Sequence, residues 1–419
     1  MKKYLMTGAA KIDVTPSVPL PYLAFYPRHQ LFTGTASRMY LRALVLKNEN
    51  CIFGIISFDG IGVDGKVLGE GDFYETLRRA IFERTGVNNI MFASSHIHST
   101  PETLNCRPFV AARGAKEWLR SIIDTACEAV DKAKTEMAAA RLYFSAQTVP
   151  GLIINRRGSH YMDETLSVIC LKSLDGVNLA TAVHFACHPV VMQVTENICT
   201  DYVGVVCESL ERETGGVSLF LQGACGDIDP ARFTAGAEED YIYMGNTLSD
   251  AVLGMLNNLP EPMEDNSLSV TEEVLALPSR DLPSGSERDE IVRFYEQHRG
   301  KTLEKEDITL YRSAEEKYYR ISEGDLPYKA RLQLIKIGDM TLAGIPGEPF
   351  CQMGLELKKL AKNILIVGYA NGYVGYIAPE AEWAKGGYET GLGMWSKVSA
   401  KAYDMIMDAL YDYCKRGSQ

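Results

Sequence analysis

The chain has no Cys-x-x-Cys pair, no apolar run long enough to cross a bilayer, no excess of basic residues and few histidines. Each shortage narrows the reading. Its ten cysteines stand singly, at 51, 106, 127, 170, 187, 199, 207, 225, 351 and 414, which disfavours a thiolate zinc site. Several lie inside apolar runs, where cysteine behaves as a small hydrophobe, and scattered reduced thiols fit a cytosolic protein. A cytoplasmic location is therefore the expectation. A formal net charge of -11 argues against a nucleic-acid partner, which would need a basic stripe. With no span of about 20 apolar residues, no integral membrane segment is expected. The opening MKKYLMTGAAKIDVTP has too short an apolar stretch for a signal-peptide core. There is no His-Glu-x-x-His helix and no repeat of solenoid period.

Apolar runs rich in Val, Ile and Phe recur at 51–57 (CIFGIIS), 89–93 (NIMFA), 166–171 (LSVICL), 181–187 (TAVHFAC), 217–221 (VSLFL), 341–345 (TLAGI) and 364–370 (ILIVGYA). Each reads as a buried strand. Between several of them lie helical patterns. Over 116–136 an apolar stripe runs through Trp118, Leu119, Ile122, Ile123, Ala126, Val130 and Ala133 at helical spacing. A second pattern covers 350–361, with Pro349 at a first-turn position. The fold class expected is α/β: a mixed sheet core with flanking helices and an active site at strand carboxyl ends. One domain over 1–419 is expected, interrupted by a charged helical and loop insertion at about 260–330.

The residues just beyond the apolar runs are unusual. Asp59, then His96 and His98, then His188, then Asp227 and Asp229, then Glu348, then the NGYVGY segment each sit where a strand ends. In open α/β sheets ligands bind at the carboxyl ends of strands. The chain has seven histidines, at 29, 96, 98, 160, 184, 188 and 298. A lone strand-end histidine is more often a satisfied structural group than a ligand. Three of them joined by a glutamate reverse that reading, because two His and one carboxylate with an open position form a usual catalytic zinc set. His96 and His98, two apart in extended backbone, would face one space. His184 reads as a core histidine with a backbone partner; His29, His160 and His298 read as loop residues. Asp227 and Asp229 lie in Gly-Asp-Ile-Asp-Pro, which is good turn chemistry in its own right. Arg156, in LIINRRGSH, fits either an anion-binding or an exposed loop role.

The segments SSHIHSTPE, HFACHPVVM, IINRR, IPGEPF and NGYVGYIAPEAEWAKGGYE, with KIDVTP at the start, resemble in the same order the motifs of the neutral/alkaline, non-lysosomal ceramidases, in their N-terminal catalytic domain. The resemblance implies a zinc amidase that hydrolyses an amide (N-acyl) bond by metal-activated water. Carried over by position, it implies zinc held by His96, His188, Glu348 and Tyr376, with His98, Arg156 and Tyr388 lining the substrate. Tyr388 follows Tyr376 by the family's own interval. In this picture Tyr388 and Arg156 stabilise the oxyanion and His98 carries a proton to the leaving amine. The small-molecule partner is then an N-acyl substrate. Two departures matter. Asp229 stands where the ceramide-cleaving members carry serine, so it serves either as a general base or as a contact to a polar group, and the substrate need not be ceramide. No C-terminal immunoglobulin-like domain is expected. An ester, lactone or sugar N-acyl bond, and a silent ligand-binding descendant, remain as alternatives.

Overall fold

The computed structural model describes residues 4–22, 31–104, 112–234, 236–280, 328–361, 363–391 and 395–416. An eight-stranded mixed sheet runs, from one edge to the other, through Val217–Gln222, Asn178–Phe185, Thr165–Ser173, Ala138–Thr148, Leu5–Asp13, Tyr40–Lys47, Ile52–Phe58 and Asn89–Ser94. Its two outer pairs, 217–222 with 178–185 and 52–58 with 89–94, are parallel; the inner pairs are antiparallel. A second, four-stranded sheet takes Leu268–Leu277, Tyr328–Ile337, Met340–Gly344 and Ile364–Val367 in that order, with the last pair parallel.

The seven apolar runs all form strands, and they are continuous runs because each strand is covered on both faces. Side chains alternate between faces, and the cores follow that period of two. Ile55, Ile169, Leu171, Leu219 and Leu221 pack into the layer between the two sheets, against Ile335, Leu342, Leu365 and Val367. Their neighbours Ile56 and Phe92 face the other way, onto helices Phe73–Thr85 and Ala115–Thr135 through Leu77, Ile81, Ile122 and Val130. On the same side, Val168, Val183 and Phe220 meet helices Asp201–Thr214 and Glu238–Asn257. The far face of the small sheet, with Leu334, Ala343 and Ile366, is covered by helices Cys351–Leu360 and Lys401–Arg416. The result is four layers: helices, large sheet, small sheet, helices. Burying each of these large apolar side chains contributes about 1.5–3 kcal/mol.

Two expectations change in detail. Pro349 is not in the first turn of the 351–360 helix; it lies in a two-residue strand, Glu348–Pro349, that pairs in parallel with Tyr376–Ile377. The insertion expected at about 260–330 begins and ends in strands, since Leu268–Leu277 pairs antiparallel with Tyr328–Ile337 along its full length; residues 281–327, on which the helical expectation falls, lie outside the described residues, as do His29, His298 and Cys106. Among the described residues no helix is long and apolar enough to cross a membrane.

Candidate metal centre

Loops from both sheets meet where the parallel strands end. The 89–94 strand delivers His96 and His98, and the 178–185 strand delivers His188. From the small sheet, 340–344 leads to Glu348 and 364–367 to Tyr369, Tyr373 and Tyr376. Gln222, at the tip of the adjoining edge strand, donates from one amide nitrogen to the carbonyls of Ser95 (3.1 Å) and Cys187 (2.8 Å), so one side chain ties the two histidine loops together. Asn371 docks the Tyr-rich loop onto the large sheet: its Oδ1 accepts from Phe92 N–H (3.0 Å), and its backbone N–H donates to Phe92 O (2.8 Å). It holds a left-handed φ of 59°, which asparagine tolerates better than most residues.

His96 and His98 do face one space, but not by the extended geometry anticipated. His96 has φ 64° in the irregular segment just past the strand, a conformation that costs on the order of 1–2 kcal/mol for a residue with a Cβ. Its ring is stacked on Tyr369, 3.9 Å between centroids and 16° between planes, and Tyr369 has φ 54° itself. The two strained residues thus hold one another at the centre.

His96 Nδ1 lies 2.5 Å from Ile61 O and His188 Nδ1 lies 3.1 Å from Ile228 O. A carbonyl only accepts, so each Nδ1 carries a proton and each Nε2 is directed inward, as a lone pair on His96 and towards Glu348 on His188. Glu348 Oε2 lies 3.3 Å from His96 Nε2 and 3.2 Å from His188 Nε2. His98 Nε2 is 3.1 Å from His96 Nε2; since the latter is a lone pair, His98 donates there. The ligand atoms of His96, His98 and His188 all lie within 4.8 Å of one another, so the imidazoles alone could hold an ion.

Burial works against a charge on any of these groups. It keeps the pKa of His96 below that of a free imidazole and that of His98 well below it, the latter helped by the two other imidazoles. Burial also opposes the ionisation of Glu348, but His96 and His188 overcome it and hold its carboxyl well below the usual range. His188 goes the other way: against the cost of burial, the Cys225 thiol and Glu348 beside it raise its pKa to about 10. The buried carboxylate therefore keeps one positive charge next to it, as a proton on His188. A divalent cation meeting the same lone pairs would replace that proton, as metal binding to histidine generally does. The donor set, two anchored imidazoles and an ionised carboxylate, fits such an ion.

Tyr376 is buried and is the register partner of Glu348 in the short parallel ladder, so both side chains leave the same position side by side. Burial, followed by the Glu348 charge, pushes its phenol well above the ordinary value, against the Arg156 charge, which lowers it. Arg156 donates to Tyr376 OH (3.1 Å), Gly226 O (2.8 Å), Asp229 Oδ1 (3.0 Å) and, through Nε, Glu389 Oε1 (2.7 Å). Tyr388 lies on the same side: its ring centroid is 6.0 Å from that of Tyr376 and 5.9 Å from the Arg156 guanidinium carbon, and it stacks on Trp395. All eight residues singled out as site groups thus form one connected cluster.

Other strand-end residues prove structural. Asp59 is spent on the buried Arg42, which approaches it at 2.7 and 2.8 Å. Asp227 accepts from Cys351 N–H at the start of a helix (2.8 Å) and from Asn155 (2.6 Å), fixing the turn that presents Arg156. His184 Nε2 meets Ile366 O at 2.7 Å, the backbone partner expected of a core histidine. His160 stays in an exposed loop. Residue pattern alone does not single out Tyr369, Tyr373, Arg157, Glu382 or Glu389. Arg157 pairs with Glu382 (2.7 Å) and with Glu389, pinning the loop that carries Tyr388. The aromatic spacing of GYANGYVGY carries a signal for the tyrosines, but aromatic residues near strand ends usually mean core.

Fold and site together define a layered α/β protein with a metal-competent histidine and carboxylate cluster where its two sheets meet. The chain matches no family profile. A neutral ceramidase of Drosophila pseudoobscura is 21% identical over an alignment covering 96% of this chain and 73% of the relative. A neutral ceramidase of Mycobacterium tuberculosis is 37% identical over 75 residues, 15% of this chain and 12% of the relative. The crystal structure of neutral ceramidase from Pseudomonas aeruginosa superposes with a TM-score of 0.76 at 18% identity, covering 99% of this chain and 75% of that one. A ceramidase complexed with C2 gives the same TM-score at 16% identity. The chain is thus similar along almost its whole length to neutral ceramidases and shares their fold.

Proposed function

We propose that the chain hydrolyses an amide (N-acyl) bond with the help of a zinc ion held by His96, His188, Glu348 and Tyr376. The observation that carries this reading is the meeting of two inward-facing Nε2 atoms with an ionised, buried carboxylate at 3.2 and 3.3 Å. When bound there, zinc supplies Lewis acidity, polarising a carbonyl and lowering the pKa of water towards about 7. The relatives' name supports the bond type.

The chain's own groups divide the remaining work. His98 is held neutral by its surroundings, so its ring nitrogen without a proton can take one up and return it to the leaving amine. Arg156 has four of its five N–H donors engaged, so it acts by holding Tyr376, where its charge favours the phenolate as a ligand. Tyr388 is 39% exposed, and its hydroxyl is the group we assign to the oxyanion. The ion pair of Asp229 with Arg156 puts charge where the ceramide-cleaving relatives carry serine. That favours a substrate polar next to the scissile bond over a hydrocarbon-flanked one.

Zinc content and a panel of N-acyl amides from acetyl to long-chain ceramide test the reading. One zinc per chain with turnover of the polar, short-acyl members is expected. A protein that takes up no divalent ion would sink the metal centre, and preferential turnover of long-chain ceramide would sink the polar-substrate reading.

A further inference from the structure

Glu348 has two carboxylate oxygens, and the structure treats them differently. Oε2 faces His96 and His188 and accepts from Tyr369 OH at 3.3 Å. Oε1 accepts from Tyr373 OH at 2.5 Å, within the range of hydrogen bonds to an ionised oxygen. Tyr373 is itself fixed. It is buried, and Lys397 lies 4.9 Å from its ring centroid, donates to its carbonyl (3.3 Å) and is anchored to Asp64 (2.6 Å). Lys397 is also buried, and a buried ammonium is retained only where partners hold it.

We infer that Tyr373 is a positioning residue that commits Glu348 to the ion through one oxygen, and that Lys397 seats the Tyr373 ring for this purpose. This rests on the reading of Glu348 as a metal ligand. A carboxylate free at both oxygens can rock into a two-oxygen mode and occupy the coordination position a substrate carbonyl needs. The Tyr373 hydroxyl removes that freedom, as hydrogen-bonded outer groups commonly do for ligating carboxylates. The arrangement also ties metal binding to the strand Met340–Gly344 and to the segment bearing Ser396 and Lys397, which bridges to Gly375.

The test is Tyr373→Phe, which deletes the hydroxyl and keeps the ring, alongside Lys397→Gln, which keeps the hydroxyl and releases the ring. Zinc affinity is measured by competition with a chromophoric chelator. The coordination mode is read by X-ray absorption, and the melting temperature of the metal-free protein by circular dichroism. The expected result for Tyr373→Phe is a zinc affinity about ten- to a hundred-fold weaker, a second carboxylate oxygen at bonding distance, and a metal-free melting temperature close to wild type. Lys397→Gln is expected to show the same change of mode with a smaller loss of affinity. It carries the test if Tyr373→Phe does not fold. Unchanged affinity and coordination in the variants overturn the inference while leaving the metal centre in place; a wild-type protein that takes up no divalent ion overturns the metal centre and this inference with it.

Discussion

His184 and His188 lie four residues apart, both buried, and titrate in opposite directions. His188 faces Glu348 and is raised to about 10. His184 loses to burial first and then to the Lys358 charge, and falls to about 4; its Nδ1 has no hydrogen-bond partner, so a proton there would be buried unpaired. The linkage has a definite sign. An unfolded imidazole takes up its proton below about pH 6.5, while folded His184 stays neutral until about pH 4. The folded state binds fewer protons in that window. The His184 contribution to stability is therefore full above pH 6.5 and declines as the pH falls towards 4, by about 3 kcal/mol. Asp201, raised to about 6 by burial, holds an extra proton in the folded state and opposes this trend. Comparing wild type with His184→Gln removes the Asp201 contribution from the difference. In urea unfolding at pH 7, 5.5 and 4.5, the two midpoints should converge as pH falls. Parallel decline of both would show that His184 takes no part.

At the scale of elements, the centre depends on a ladder only two residues long. Glu348 N–H donates to Gly375 O (2.9 Å), and Tyr376 N–H donates to Trp395 O (2.8 Å). Gly375 has φ 82°, and a Cβ on it would lie 2.1 Å from Trp395 O. Gly375→Ala must therefore move the strand that carries Tyr376 or the segment against it. We expect zinc affinity to fall at least about ten-fold by the ligand-support argument. Gly151, with φ 81° and open space around it, is the control. An alanine there meets only the left-handed strain of about 1 kcal/mol and should leave zinc affinity as it was; equal losses at both positions would contradict the ladder's role. The same contrast explains what could be read from residues alone. The seven apolar runs could be recognised because strands buried on both faces need uninterrupted hydrophobics. Strands such as Ala138–Thr148 and Leu268–Leu277, with half-exposed polar faces, escape notice for the complementary reason. Strand-end placement brings His96, His188 and Glu348 into view, and it also brings in Asp59, whose partner Arg42 lies on a neighbouring strand. Pairing across strands is invisible along the chain. Tyr373 escapes for the same reason, because its role exists only through Glu348, twenty-five positions earlier.

For the molecule as a whole, the centre sits on the seam between the sheets. His96 and His188 leave the large sheet, whereas Glu348 and Tyr376 follow strands of the small one. The seam is otherwise joined by the apolar layer and by a few polar ties, such as Gln333 Nε2 to Ile90 O at 3.2 Å. An ion bound by ligands from both sides would act as a cross-sheet staple present in the folded state alone. Its stabilisation then follows mass action, about 2.7 kcal/mol when free zinc stands at 100 times its dissociation constant, and chelation should remove it. We expect the melting temperature to rise by a few degrees with added zinc, to drop with a strong chelator, and to recover on readdition. The dependence should be logarithmic in free zinc once the site is filled. His96→Ala and Glu348→Gln, one from each sheet, should each abolish the rise. If only the His96 variant abolished it, the ion would be held by the histidines of the large sheet, with His98 completing the set, and the small sheet would contribute no ligand.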